Sequence, residues 1–70
     1  MNLLILTLKA ARVNKGLTQE EAAQKLGVSV YTLFNYESGK TFPDVPLIKR
    51  IEEIYDVEYK DIFFSVESTV

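Results

Sequence analysis

Apolar side chains recur along this chain at helical intervals, in short bursts cut by glycine and proline. Over residues 7–15, Leu8, Ala11 and Arg12 fall on one helical face, and Gly16 follows Lys15 as a helix stop with a cation in the last turn. A second helix opens on Thr18 and Glu21, the Thr-x-x-Glu capping box in which each side chain bonds the other's backbone amide. Ala22, Ala23 and Leu26 face inward from it, and Gly27 ends it. Ser29 is positioned to cap a third helix, Val30–Ser38, with Leu33 and Tyr36 on its inner face and Gly39 at its close. Residues 40–43 read as a loop. Asp44 then caps a fourth helix that tolerates Pro46 in its first turn. Its stripe is Leu47, Ile48, Ile51, Ile54 and Tyr55. A short fifth helix is predicted over residues 59–63. Two apolar stretches, residues 3–6 and 62–66, suit strands and are expected to pack together, within one protomer or across a dimer.

Seventy residues, 47% hydrophobic and 26% charged, describe one globular domain with no room for a second core. The chain contains no cysteine and no histidine. That removes disulfides, thiolate nucleophiles, Cys/His zinc sites and histidine bases, and no metal or cofactor is expected. The adjacent carboxylates Glu20/Glu21 and Glu52/Glu53 point apart on a helix and make no acid/base dyad. No phosphate-cradling glycine loop is present, so neither catalysis nor a small-molecule substrate is expected. The apolar run before Lys9 has no basic residue ahead of it and is too short to span a bilayer. A cytoplasmic protein without membrane contact is the expectation.

The charge is unevenly distributed. Residues 1–43 carry five basic side chains (Lys9, Arg12, Lys15, Lys25, Lys40) against three acidic ones (Glu20, Glu21, Glu37), a net +2. Residues 44–70 carry three basic against seven acidic, a net −4, which returns the chain's −2. Only the first part is suited to facing a polyanion.

The second and third helices form a pattern of their own. Two short helices meet at a tight glycine turn, with the small Ala23 ahead of Gly27 and the branched Leu33 beyond it. Ala23 lets the helices cross closely, Gly27 supplies the positive φ of the turn, and Val28 and Leu33 fill the corner. This is a helix-turn-helix arrangement.

With that pattern in place, the chain resembles the Cro/C1-type (XRE) helix-turn-helix family, which includes the phage repressors. The resemblance rests on Leu17-Thr18-Gln19-Glu20-Glu21, Ala23, Gly27-Val28-Ser29, Tyr36-Glu37-Ser38-Gly39-Lys40 and Pro43, and it covers residues 8–64. It implies an all-α, compact five-helix domain like that of lambda repressor, with an apolar extension at 1–7 and a tail at 65–70. It also implies a transcriptional regulator, taken to be a repressor, that binds double-stranded operator DNA as a homodimer.

The third helix would then enter the major groove, with Val30, Tyr31, Phe34 and Asn35 at base edges. Asn35 suits an adenine edge, and Val30 and Tyr31 suit thymine methyls. Gln19, Ser29, Thr32, Lys40 and Thr18 are the phosphate candidates, Thr18 serving foremost as a cap. The resemblance further implies a structural ion pair between Arg12 and Glu37. The recognition face departs from the usual pattern in being apolar and lacking Arg, Lys and Gln. Phe34 or Val30 packing inward, or against a partner, is the alternative. With it stands a second function: a protein-binding module, antirepressor- or antitoxin-like, using the same face.

Overall fold

The computed structural model describes residues 6–64. Four α-helices carry the fold: α1 (Leu8–Asn14), α2 (Gln19–Leu26), α3 (Val30–Ser38) and α4 (Val45–Tyr55). A two-residue strand precedes them, β1 (Leu6–Thr7), and another follows, β2 (Ile62–Phe63), reached through a single 3-10 turn, Tyr59–Asp61. No helix among the described residues is long and apolar enough to cross a membrane.

Each helix begins where a side chain can replace a missing backbone partner. Thr7, Thr18, Ser29 and Asp44 are the four N-caps, and each accepts a hydrogen bond from the amide three residues on. At Thr18 the box is complete: the Glu21 amide donates to the threonine hydroxyl at 3.1 Å, and the Thr18 amide donates to the Glu21 carboxylate at 2.9 Å. These bonds hold the Glu21 carboxyl below its ordinary pKa, the Thr18 backbone amide contributing most. Gly27 ends α2 at φ 79°, a left-handed conformation that a Cβ would strain. Asp56 takes the same role after α4 at φ 56°.

The buried core draws on all four helices and on β2. Leu8 and Ala11 enter from α1, Ala22, Ala23 and Leu26 from α2, Leu33 from α3, Leu47, Ile51 and Tyr55 from α4, and Ile62 from β2. Leu26, Leu33 and Ile51 are fully enclosed. Each such side chain contributes about 2–3 kcal/mol by leaving water. The two alanines of α2 are equally buried, and their small size lets both α3 and α4 pack against α2. Tyr55 is buried as well, and its hydroxyl has no hydrogen-bond partner among the described residues. Burial, reinforced by the nearby Glu37 carboxylate, pushes its pKa up to about 12.

The count of five helices is not met. Residues 59–63 form one 3-10 turn and then extended backbone. Two causes are visible. Glu58, at the position before the turn, makes no side-chain capping bond. Ile62 and Phe63 instead pair in parallel with Leu6 and Thr7, which holds them extended. The turn is fastened to α4, since the Tyr59 amide donates to the Glu52 carboxylate at 2.8 Å. The paired strands belong to one protomer. The rest of the predicted apolar stretches, residues 3–5 and 65–66, lies outside the described residues, as do most of the 1–7 extension and the whole 65–70 tail.

Candidate nucleic-acid interface

α2 and α3 are joined by residues 27–29, and the corner between them is closed from three directions. Leu33 is fully buried beneath it, Val28 packs partly against the core, and α4 lies behind α2. Arg50 of α4 reaches across and donates through Nη1 to the Leu26 carbonyl at 3.3 Å. That bond satisfies a carbonyl left open by the end of α2. Nothing in the local sequence around residue 50 announces it, because the two partners come from different helices.

The other end of α3 is held by a polar cluster. Arg12 of α1 donates through Nε to Glu37 Oε2 at 2.7 Å and through Nη2 to Oε1 at 3.3 Å. Its third contact is Nη1 to the Leu17 carbonyl at 2.8 Å. Both charged side chains are sequestered, at 8% and 5% exposure. Gln19, the first residue of α2, donates through Nε2 to Glu37 Oε1 at 3.0 Å. One carboxylate therefore gathers α1, the start of α2 and the end of α3 at a single point. A bidentate arginine fixes direction as well as distance, so the cluster sets the orientation of α3.

What α3 turns outward is mostly apolar. Tyr31 is 70% exposed, Phe34 54% and Val30 39%. Neither Phe34 nor Val30 joins the buried core of the described residues. Asn35 is half-buried on the same helix, and its carbonyl receives the amides of Lys40 and Thr41 and the hydroxyl of Ser38. Ser29 and Thr32 are engaged with each other: the Thr32 amide donates to Ser29 Oγ, which donates to Thr32 Oγ1, both at 3.0 Å. Lys40 is exposed just past Gly39, and Thr18 is exposed at the start of α2. An open groove runs beside α3, lined by Lys9, Thr18, Gln19, Glu20, Phe34 and Ser38, with the Arg12–Glu37 pair in its floor.

Four of the nine side chains picked from the sequence as nucleic-acid contacts are thus held in the protein's own hydrogen bonds. Thr18, Ser29 and Thr32 serve the caps, and Gln19 serves the Glu37 carboxylate. Val30, Tyr31, Phe34 and Lys40 stand in solvent. Lys9, in the groove, was not among the residues expected to contact nucleic acid. Its place as the second residue of α1, a cation exposed beside the buried Leu8, is the signal that would have found it.

A four-helix core with a glycine-turned helix pair, braced so that the second helix is presented outward, defines a helix-turn-helix domain. A family model described as helix-turn-helix matches residues 8–62, and the chain belongs to that family, in its Cro/C1-type branch. An uncharacterized HTH-type transcriptional regulator of Methanocaldococcus jannaschii is 43% identical over 56 residues, covering 80% of this chain and 85% of that protein. The HTH-type transcriptional regulator ImmR of Bacillus subtilis is 40% identical over 50 residues, 71% of this chain and 39% of its own. The HTH-type transcriptional activator BcrR of Enterococcus faecalis is 33% identical over 60 residues, 86% of this chain and 29% of its own. The chain thus spans most of the archaeal relative and well under half of the two bacterial ones.

Proposed function

We propose that this chain regulates transcription in the cytoplasm by binding double-stranded operator DNA as a homodimer, and that it represses. The observation that carries this reading is the outward face of α3, fixed at one end by the Gly27 turn and at the other by Arg12, Gln19 and Glu37. A helix of nine residues with Val30, Tyr31 and Phe34 in solvent fits the major groove. Val30, Tyr31, Phe34 and Asn35 would meet base edges. Lys40, Gln19, Thr18, Ser29 and Thr32 would lie along phosphates, with Lys9 as an added cation. Gln19 keeps a second amide hydrogen for a phosphate while the first holds Glu37. Repression follows from occupancy, since a domain seated on a promoter excludes polymerase by volume alone.

The second copy has a surface suited to it. Phe42, Pro43, Ile48, Tyr59 and Phe64 line one apolar groove, and Val45, Ile48 and Tyr59 continue into the next. The aromatic rings pack against one another, Tyr59 and Phe64 tilted at 5.7 Å and Phe42 edge-on to Phe64 at 6.3 Å. Lys49 and Glu52 flank this surface on α4. A two-fold axis brings opposite charges of two copies together there, as a self-complementary interface requires.

Binding is tested by selecting duplexes from a random pool and measuring affinity by fluorescence anisotropy across salt concentrations. Two lysines beside α3 per protomer, Lys9 and Lys40, and so four per dimer, predict a log–log salt slope of about −3 to −4. Failure to enrich any duplex, together with a stable complex formed with another protein through Tyr31 and Phe34, would favour the protein-binding module. A promoter–reporter assay separates repression from activation, and sedimentation of Phe42→Glu beside the unaltered chain tests the dimer.

A further inference from the structure

We propose that α3 selects its operator by the 5-methyl groups of pyrimidines, thymine above all, through Val30, Tyr31 and Phe34. This deepens the DNA-binding reading and rests on it. Three observations converge. First, α3 carries no lysine or arginine, and its one charge, Glu37, is buried against Arg12. The bidentate contact by which cations recognise guanine has no donor on this helix. Second, the two hydroxyls at its start, Ser29 and Thr32, are tied to each other and to the backbone, the Ser29 hydroxyl donating to Thr32 Oγ1. Hydrogen-bond readout falls chiefly to the Asn35 amide and the Tyr31 hydroxyl, with the Thr32 hydroxyl hydrogen beside them. Third, the most exposed area of the helix is aliphatic and aromatic.

The one apolar feature on a base edge in the major groove is the methyl of thymine. An apolar helix face gains from DNA only what it can withdraw from water, and a methyl is what a base pair offers. Asn35 fits the same preference, since its amide matches the adenine edge of a thymine·adenine pair. The half-site selected by this helix is therefore rich in A·T pairs, with methyls against the Val30, Tyr31 and Phe34 side chains.

Deoxyuridine in place of thymidine removes that methyl and leaves every hydrogen-bonding group in place. In a duplex recovered by selection, each thymine is replaced singly and affinity is measured by anisotropy. The expected result is a loss of about fourfold at each methyl that meets the helix, at two or more positions per half-site. Salt dependence stays unchanged, because no phosphate contact is altered. Tyr31→Ala or Phe34→Ala is expected to abolish the discrimination between thymine and uracil at the matching position, whereas Lys40→Ala weakens binding to both duplexes equally. Where a thymine·adenine pair is exchanged for cytosine·guanine, 5-methylcytosine is expected to recover about the same fourfold over cytosine. A duplex bound specifically, yet indifferent to uracil at every position, overturns the methyl reading and leaves DNA binding standing. A pool from which no duplex is enriched overturns both.

Discussion

Removing Arg12 tests whether the polar cluster holds α3 in place. In Arg12→Met the Glu37 carboxylate, 5% exposed, loses the contacts at 2.7 and 3.3 Å and keeps the Gln19 amide alone. Stranding a buried charge in this way costs about 3–5 kcal/mol. A domain of this size has a total stability of about 4–10 kcal/mol, so the substitution consumes a large share of it. Glu37→Leu strands the guanidinium instead, leaving it the Leu17 carbonyl. The double variant Arg12→Met/Glu37→Leu removes both charges together and fills the space with apolar atoms. It leaves only the neutral Leu17 carbonyl and Gln19 amide to find new partners, at about 1–2 kcal/mol. The double variant is thus expected to be more stable than either single one, with a coupling energy of about 4 kcal/mol or more, the two single losses less the double one. Urea unfolding followed by circular dichroism supplies the four free energies of the cycle. Strictly additive effects, or single losses below about 0.5 kcal/mol, would mean that the pair behaves like an exposed one and does not brace the helix.

Three further outcomes follow from the same geometry. Tyr55→Phe deletes a buried hydroxyl without a partner, so thermal melting is expected at an unchanged or higher temperature, and a marked drop would reveal an interaction the hydroxyl makes. Because the folded pKa of Tyr55 stands at about 12, above its unfolded value, the unaltered chain should lose stability relative to this variant as pH rises from 10 towards 12. Glu21 has the opposite sign: its folded pKa is lowered, so its contribution is complete above pH 4.5 and fades as pH falls through the folded value. The difference in melting temperature between the unaltered chain and Glu21→Gln should therefore shrink below pH 4.5, and a difference constant with pH would remove the linkage. Gly27→Ala meets ordinary contact space, the Arg50 guanidinium lying 3.6 Å from the added carbon. Its cost comes from the positive φ and is expected at about 1–2 kcal/mol by urea unfolding.

The helices were legible because their boundaries are written locally. Thr18 with Glu21, Ser29, Asp44 and the turn glycines each act within a few residues of themselves, and the structure starts and stops its helices at those marks. The inward faces followed from spacing, Ala22, Ala23, Leu26 and Leu33 being buried where periodicity put them. What local pattern does not encode is partnership at a distance. The apolar runs at 3–6 and 62–66 suit strands that pack together, yet residues 59–63 also read as a helix, and only the pairing of Ile62 with the distant Leu6 decides between the two. Arg50 on the Leu26 carbonyl and Gln19 on the Glu37 carboxylate are likewise products of assembly, invisible until the helices cross.

The short parallel ladder between β1 and β2 joins the two ends of the described chain, and that bears on the order in which the molecule forms. The contacts of α2 with α3 close small loops, whereas the pairing of Leu6 with Ile62 closes a loop of almost the whole described chain. Contacts of such high sequence separation carry the largest closure entropy and reward the chain last. The ladder therefore acts as a late latch. Ile62→Val is expected to hasten opening while leaving the rate of refolding unchanged, and the amides of residues 62–63 should exchange with deuterium ahead of those in α2.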